Sequence, residues 1–245
     1  MCYFNSLVAP KGATITLSGT TKQLDPTNRP LQSGFSYHNW PIVKGSTENF
    51  TIENAHWELI APWVKTTQEV QVGREKFNTL NATAERLFES KLFKPAALNN
   101  RCLVLSSGFY EWRHYKPAGA IKEIAYPYFI TIKEQSLFYM AGIFQPWTDK
   151  ETGETMDTFS IVTTKANAFM EQIHNKKKRM PTILTEAQAS EWLAPNLSEN
   201  KIMELATSSI DANQLSAYTI HKNFRTDTNP LQSFEYEELP QLNSI

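Results

Sequence analysis

The stretch Arg101-Cys102-Leu103-Val104-Leu105-Ser106 is a short, continuous apolar run, and after one more residue the chain enters Gly108-Phe109-Tyr110-Glu111-Trp112. A run this short is too brief for a helix and reads as a strand buried on both faces. Residues 126–133 and 137–144 read as a hairpin turning at Glu134-Gln135-Ser136, and residues 159–164 as a further strand. Residues 49–60 are β-like, with Phe50 and Ile52 alternating, until Pro62 breaks the pattern. Between these lie helical signals. Phe77, Leu80, Ala84, Leu87 and Phe88 recur at three- and four-residue spacing and predict a helix over 75–91. Short helices are predicted over 165–173, over 185–193 with Thr185 as N-cap and Gln188 completing a capping box, and over 198–206 with Ser198 as cap. Residues 7–40, with Pro26, Pro30 and Gly34, read as loop with short irregular pieces. Strands in hairpins with scattered helices predict an α+β fold: a curled, mainly antiparallel sheet, barrel-like at its core, with flanking helices.

The chain has 245 residues, enough for a proper core, and the reading is one domain over 1–235. Residues 236–245 are expected as a tail that packs on the surface or is partly disordered. The formal net charge of −1 leaves nucleic-acid binding to a local patch rather than a global field. Two cysteines, Cys2 and Cys102, make no disulfide framework and suit reduced cytosol. No apolar run approaches membrane-spanning length, and no basic segment followed by an apolar stretch marks a signal peptide. No glycine-rich dinucleotide or Walker motif is present, so no nucleotide cofactor is expected.

Cys2 directly follows Met1, and its small side chain predicts removal of the methionine. The new terminus would carry an α-amine and a thiol on adjacent carbons. A terminal amine has an ordinary pKa of about 7.7–8.0. A neutral fraction is therefore available to attack an aldehyde as a Schiff-base nucleophile, after which the thiol can close a thiazolidine. Four further places carry candidate chemistry. Asn81, within Leu80-Asn81-Ala82-Thr83-Ala84-Glu85, reads on its own as a polar residue on a helix face or at a helix start. Glu111, flanked by Phe109, Tyr110 and Trp112, is a carboxylate among large apolar groups. His174 is a helix C-cap or a proton shuttle. The run Lys176-Lys177-Lys178-Arg179 is a solvated loop or a phosphate contact. Trp40-Pro41, Trp57, Pro62-Trp63 and Trp112 belong to the core or stack on bases. Cys2, Cys102, His114 and His174 match no usual ligand spacing, so no metal is expected.

The order of these pieces resembles the SRAP family, the SOS-response-associated peptidase domains that form covalent adducts with abasic sites. The resemblance rests on Met1-Cys2, on Trp57 with Pro62-Trp63, and on Asn81-Ala82-Thr83-Ala84-Glu85, which is similar to N-A-R-A-E. It rests also on Arg101-Cys102 with Gly108-Phe109-Tyr110-Glu111-Trp112, and on His174 with Arg179-Met180-Pro181, which is similar to H-D-R-M-P. The chain departs from the pattern at Phe4 and Thr83, where arginines are usual, and at Glu58, where glycine is usual. It also carries three extra residues between His174 and Arg179.

The resemblance implies that the Cys2 amine and thiol capture the ring-opened sugar, with Asn81 holding it. Glu111 would move protons, and His174 would help open the ring. Arg179, with Lys176, Lys177 and Lys178, would bind flanking phosphates, and Trp63, Trp112 and Pro41 would splay the strand. The implied partner is single-stranded DNA carrying abasic sites, bound by a monomer in the cytoplasm, or at the nucleoid in a bacterium. Self-removal of Met1 and weak lyase activity are implied as well. Two other readings stay open: a Cys2-dependent amidohydrolase with His174 as base, and a non-catalytic single-strand binding module.

Overall fold

Strand pairing divides the chain among a small closed barrel, an open sheet and a separate two-stranded hairpin. The computed structural model describes residues 2–243. In chain order the strands and helices begin with β1 (Phe4–Ala9), β2 (Thr14–Leu17), β3 (Thr20–Gln23), β4 (Thr27–Ser33), β5 (Asn39–Ser46), β6 (Asn49–Trp57) and α1 (Thr67–Arg74). Then come β7 (Asn81–Thr83), α2 (Phe93–Asn99), β8 (Arg101–Ser106), β9 (Gly108–Tyr115), β10 (Ile124–Ile132), β11 (Phe138–Thr148) and β12 (Thr155–Lys165). The chain continues through α3 (Ala168–Ile173), β13 (Arg179–Pro181), β14 (Ile183–Leu184), α4 (Glu186–Leu193), α5 (Glu199–Ala206) and β15 (Leu215–Thr219).

The barrel closes through β5–β6, β6–β12, β12–β11, β11–β8 and β8–β5; only the β6–β12 contact is parallel. The open sheet runs β15-β10-β9-β1-β4 and is antiparallel throughout. The fold is α+β, as the sequence predicts. Every residue of β8 is buried, and the chain passes from this barrel strand into sheet strand β9 across Ser107 alone. Gly108 opens β9. A Cβ there would lie 2.1 Å from the Phe129 ring, so that ring can pack over the Gly108 main chain only because the side chain is absent.

Three local expectations are corrected. Residues 7–40 are not loop; they contain four strands and the start of β5: β1 and β4 pair through distant partners such as Phe4↔Ser33, and β2 and β3 form a tight hairpin closing at Leu17↔Thr20. Residues 75–91 are not a helix. Asn81–Thr83 is drawn into parallel pairing with β12, and the apolar periodicity is satisfied by turns and a single 3-10 turn at Ala84–Arg86. β10 and β11 do not form a hairpin. β10 has both edges taken by β9 and β15, and β11 is taken by β8 and β12.

The largest fully buried side chains of the core are mostly aromatic, and its indoles are satisfied. Trp40 Nε1 donates to the Leu105 carbonyl at 2.8 Å, Trp57 Nε1 to Leu80 at 3.0 Å and Trp192 Nε1 to Cys102 at 3.0 Å. Trp40 and Trp57 are thus core residues, not stacking platforms. The capping box at Thr185 and Gln188 and the Ser198 cap are both formed. Residues 236–243 lie against the body: the Tyr236 hydroxyl donates to the Ile220 carbonyl, the Tyr126 hydroxyl to Glu238, and Arg113 to the Pro240 carbonyl. No helix among the described residues is long and apolar enough to cross a membrane.

Candidate active site

Glu111 and His174 meet where the open sheet abuts the barrel. Glu111 projects from β9 and is 3% exposed. His174 follows α3 as its C-cap, its N–H donating to Met170, and leads toward β13. His174 Nε2 lies 3.6 Å from Glu111 Oε2. The other ring nitrogen is within 2.7 Å of the Arg179 carbonyl, a geometry in which Nδ1–H donates and Nε2 keeps its lone pair toward the carboxyl. Burial pushes Glu111 up to about 7 and pulls His174 down to about 4. A neutral carboxylic acid facing a neutral imidazole is therefore accessible near neutral pH. Such a pair can pass a proton from the carboxyl to the imidazole, and the carboxylate and imidazolium so formed lie beside each other rather than as isolated buried charges.

Cys2 belongs to the same locale. Its side chain is fully buried, and Sγ donates to the Phe4 carbonyl at 3.7 Å. Burial first, then the charge of Glu111, pushes its thiol above the usual cysteine range. The ground-state sulfur is thus a thiol rather than a thiolate, which disfavours simple thiolate catalysis. Removal of Met1, which lies outside the described residues, is the step that would add the amine.

Asn81 begins β7. That strand lies along β12, and β13 takes the opposite edge of the same strand: Thr163 pairs with both Thr83 and Pro181. Asn81 is 6% exposed, and neither its Nδ2 nor its Oδ1 has a hydrogen-bond partner among the described residues. A buried, unpartnered amide costs about 1–3 kcal/mol for each orphaned group, so both atoms are poised for a ligand that brings a donor and an acceptor.

The basic run is divided by the fold. The Arg179 guanidinium is turned inward, paired with Glu85 at 2.8 Å and donating to the Thr163 carbonyl. Its main chain meanwhile receives the His174 proton, so Arg179 here positions the histidine loop. Asn175 fastens that loop to β9 by two hydrogen bonds, to His114 N at 3.0 Å and to His114 O at 2.7 Å. Lys176 pairs with Glu123 at 2.5 Å and Lys178 with Glu171 at 3.3 Å. Lys177 is exposed, and its charge reaches both Glu111 and His174. Trp112 is half-buried against Phe4 and Phe224. Trp63 is 58% exposed and lines a separate groove of about 470 Å³ with Phe77, Val70 and Leu92. Pro41 is buried in β5 opposite Asn54.

Sequence reasoning passed over Glu85 and Asn175. Glu85 had a signal, its place four residues beyond Asn81 in the same motif. Asn175 had none, because an amide that mimics a strand edge looks like any loop asparagine.

Comparison with known proteins decides the family. The model for "SOS response associated peptidase (SRAP)" matches residues 8–226. The chain belongs to the SRAP family. Among its relatives, the abasic site processing protein YoqW of Bacillus subtilis is 33% identical over 179 residues, covering 73% of each chain. The abasic site processing protein HMCES of Pongo abelii is 30% identical over 160 residues, 56% of this chain and 43% of that one. A crystal structure of a Bacteroides thetaiotaomicron protein superposes with a TM-score of 0.79 at 32% identity, covering 96% of this chain and all of the other.

Proposed function

We propose that this SRAP chain processes abasic sites by forming a covalent thiazolidine with the ring-opened sugar in single-stranded DNA. The observation that carries the reading is the buried Glu111–His174 pair beside a Cys2 held one residue from the chain start. With Met1 removed, the Cys2 amine attacks the aldehyde carbon and gives a hemiaminal. Loss of water leaves an imine. The thiol then adds to the imine carbon, its proton passing to nitrogen, and the ring closes. The net reaction consumes aldehyde, amine and thiol and releases one water.

Each proton transfer has a nearby acceptor or donor. Glu111, with its affinity for protons raised to about 7, takes a proton from the attacking amine and returns it to the departing hydroxyl. His174 exchanges that proton with Glu111 and reaches the sugar's ring oxygen. The unpartnered amide of Asn81 holds the opened sugar. The thiol is undisturbed by ionisation until the imine forms. Lys177 supplies charge for a phosphate flanking the lesion. Self-removal of Met1 and slow strand cleavage from the imine belong to the same proposal.

The test is a denaturing gel of mature protein mixed with a single strand bearing one abasic site. A heat-stable shifted band is expected only with the abasic strand and only with Cys2 present. No band from protein whose N-terminal Cys2 is verified by mass would overturn the reading.

A further inference from the structure

Arg225 stands in an unusual place for an exposed arginine. It lies in a 3-10 turn, Phe224–Thr226. The turn is anchored by Phe224, which is 2% exposed and stacks on Tyr110 with ring centroids 5.1 Å apart and an interplanar angle of 11°. Main-chain bonds from Phe224 to His221 and from Thr226 to Asn223 fix its shape. The result is a guanidinium carbon 4.6 Å from the centre of the Phe4 ring and 5.5 Å from that of Trp112.

Those two rings are immediate neighbours of the site. Phe4 is two residues from Cys2, and Trp112 follows Glu111. The charge has not been neutralised by a neighbour: among the described residues the Arg225 guanidinium has no carboxylate partner and no hydrogen bond. Stacking on rings holds a guanidinium by its face and leaves the N–H groups at its edge free. That is the geometry in which an arginine makes a bidentate bond to a tetrahedral oxyanion. Lys222, in the same loop, is placed differently, over Tyr126 and Tyr236 at 4.6 and 5.0 Å, away from Phe4 and Trp112.

We infer that Arg225 is a DNA-contacting residue, gripping a backbone phosphate of the strand whose lesion lies at Cys2. The inference rests on the proposed substrate. Phe4 and Trp112 serve as the platform that orders the guanidinium before the strand arrives, so that less rotamer freedom is lost on binding.

The experiment measures non-covalent affinity for a short fluorescent single strand without a lesion, over about 50–200 mM salt, by anisotropy. The full chain is compared with Arg225→Gln, Arg225→Met and Arg225→Lys. Loss of one phosphate contact on a single strand lowers the slope of log affinity against log salt by about 0.7. We expect that loss in the Gln and Met variants, with affinity about threefold weaker, as for an exposed charge pair. The Lys variant keeps the slope. Met retains packing against the rings, so a purely structural role would lower the melting temperature of Gln and leave both slopes unchanged. Unchanged slopes in Gln and Met overturn the inference. The covalent reading is judged separately: a wild-type protein that loses slope on Arg225 substitution but forms no adduct overturns that reading and supports this one.

Discussion

His174 Nε2 lies 3.6 Å from Glu111 Oε2, and burial drives the two groups toward their neutral forms from opposite directions. This is not an ordinary ion pair, in which the imidazolium would be favoured and the carboxyl would become more acidic. The site therefore stores a proton near neutrality, and its stability and its chemistry share one titration.

The first consequence concerns stability. The Glu111 carboxyl titrates at about 7 in the fold against an ordinary 4.5, so the folded state holds the extra proton between those values. Its contribution is present in acid, falls as pH rises through that window, and is lost above about 7. His174 runs the other way: with its value at about 4 against 6.5, stability rises with pH across that interval. Glu111→Gln removes the first effect alone. The variant is expected to be more stable than the wild type at about pH 8, by on the order of 3 kcal/mol of unfolding free energy, and to approach it at about pH 4.5. A gap between the two proteins that does not change with pH would refute the burial of that charge.

Reactivity should follow the same group. Adduct formation by the wild type is expected to rise through about pH 7 as Glu111 becomes able to accept a proton. Glu111→Gln should slow it by about 10²–10⁴-fold and leave only the titration of the Cys2 amine. Single-turnover gels across pH check this; an unaltered inflection in the variant would assign it elsewhere.

Gly108 is where the sheet depends on a missing side chain. A Cβ at that position meets the Phe129 ring at 2.1 Å, and Phe129 is itself 4% exposed. Gly108→Ala is expected to cost about 1–3 kcal/mol by overpacking. Adding Phe129→Leu should recover part of that loss, because the two positions share one space. Denaturant unfolding of the single and double variants measures the coupling.

The ease with which parts of this fold are read from sequence follows the range of the forces that make them. The caps at Thr185 and Ser198 act within three residues, so α4 and α5 are legible. β8 is legible because burial on both faces leaves no polar register to misread. The strand character of β1 and β4 is hidden because partners such as Asn5↔Gln32 lie far apart in sequence, and that of the β2–β3 hairpin because its strands are four residues each and largely polar. In β7, pairing with β12 overrides an apolar spacing that taken alone favours a helix. At the site, Cys2, Glu111 and His174 announce themselves by chemistry. The inward turn of Arg179 does not, since nothing in Arg179-Met180-Pro181 says that Glu85 waits across β12.

Arg179 is accordingly expected to behave as a positioning residue. Burial alone would push the Glu85 carboxyl up, but its hydrogen bond and charge pairing with Arg179 bring it below the usual range. The stability from this pair is present above about pH 4.5 and lost as acid protonates Glu85. Arg179→Met should cost about 1–2 kcal/mol near neutral pH, a partly exposed pair being discounted for screening, and little in acid. The main-chain carbonyl that receives the His174 proton is kept in this variant, but the guanidinium that anchors it to Glu85 and Thr163 is lost; the loosened histidine loop should slow adduct formation while affinity for undamaged strand changes less. Equal losses in affinity and rate would instead make Arg179 a direct phosphate ligand.

The final prediction separates the two nucleophiles of Cys2. Cys2→Ala keeps a small residue after Met1 and hence the expected terminal amine, but removes the sulfur. The imine can still form and cannot close to a thiazolidine. This variant is expected to give no heat-stable band with an abasic strand, yet to give one when borohydride is added to reduce the imine. It should also cleave the strand more than the wild type, since an open imine permits elimination of the 3′ phosphate and a closed ring suppresses it. An extension left in front of Cys2 should abolish both the stable and the borohydride-trapped bands, because it converts the amine to an amide. A protein that still forms the stable band with that extension in place would show that the thiol acts without the amine, and the chemistry would then be that of a cysteine hydrolase.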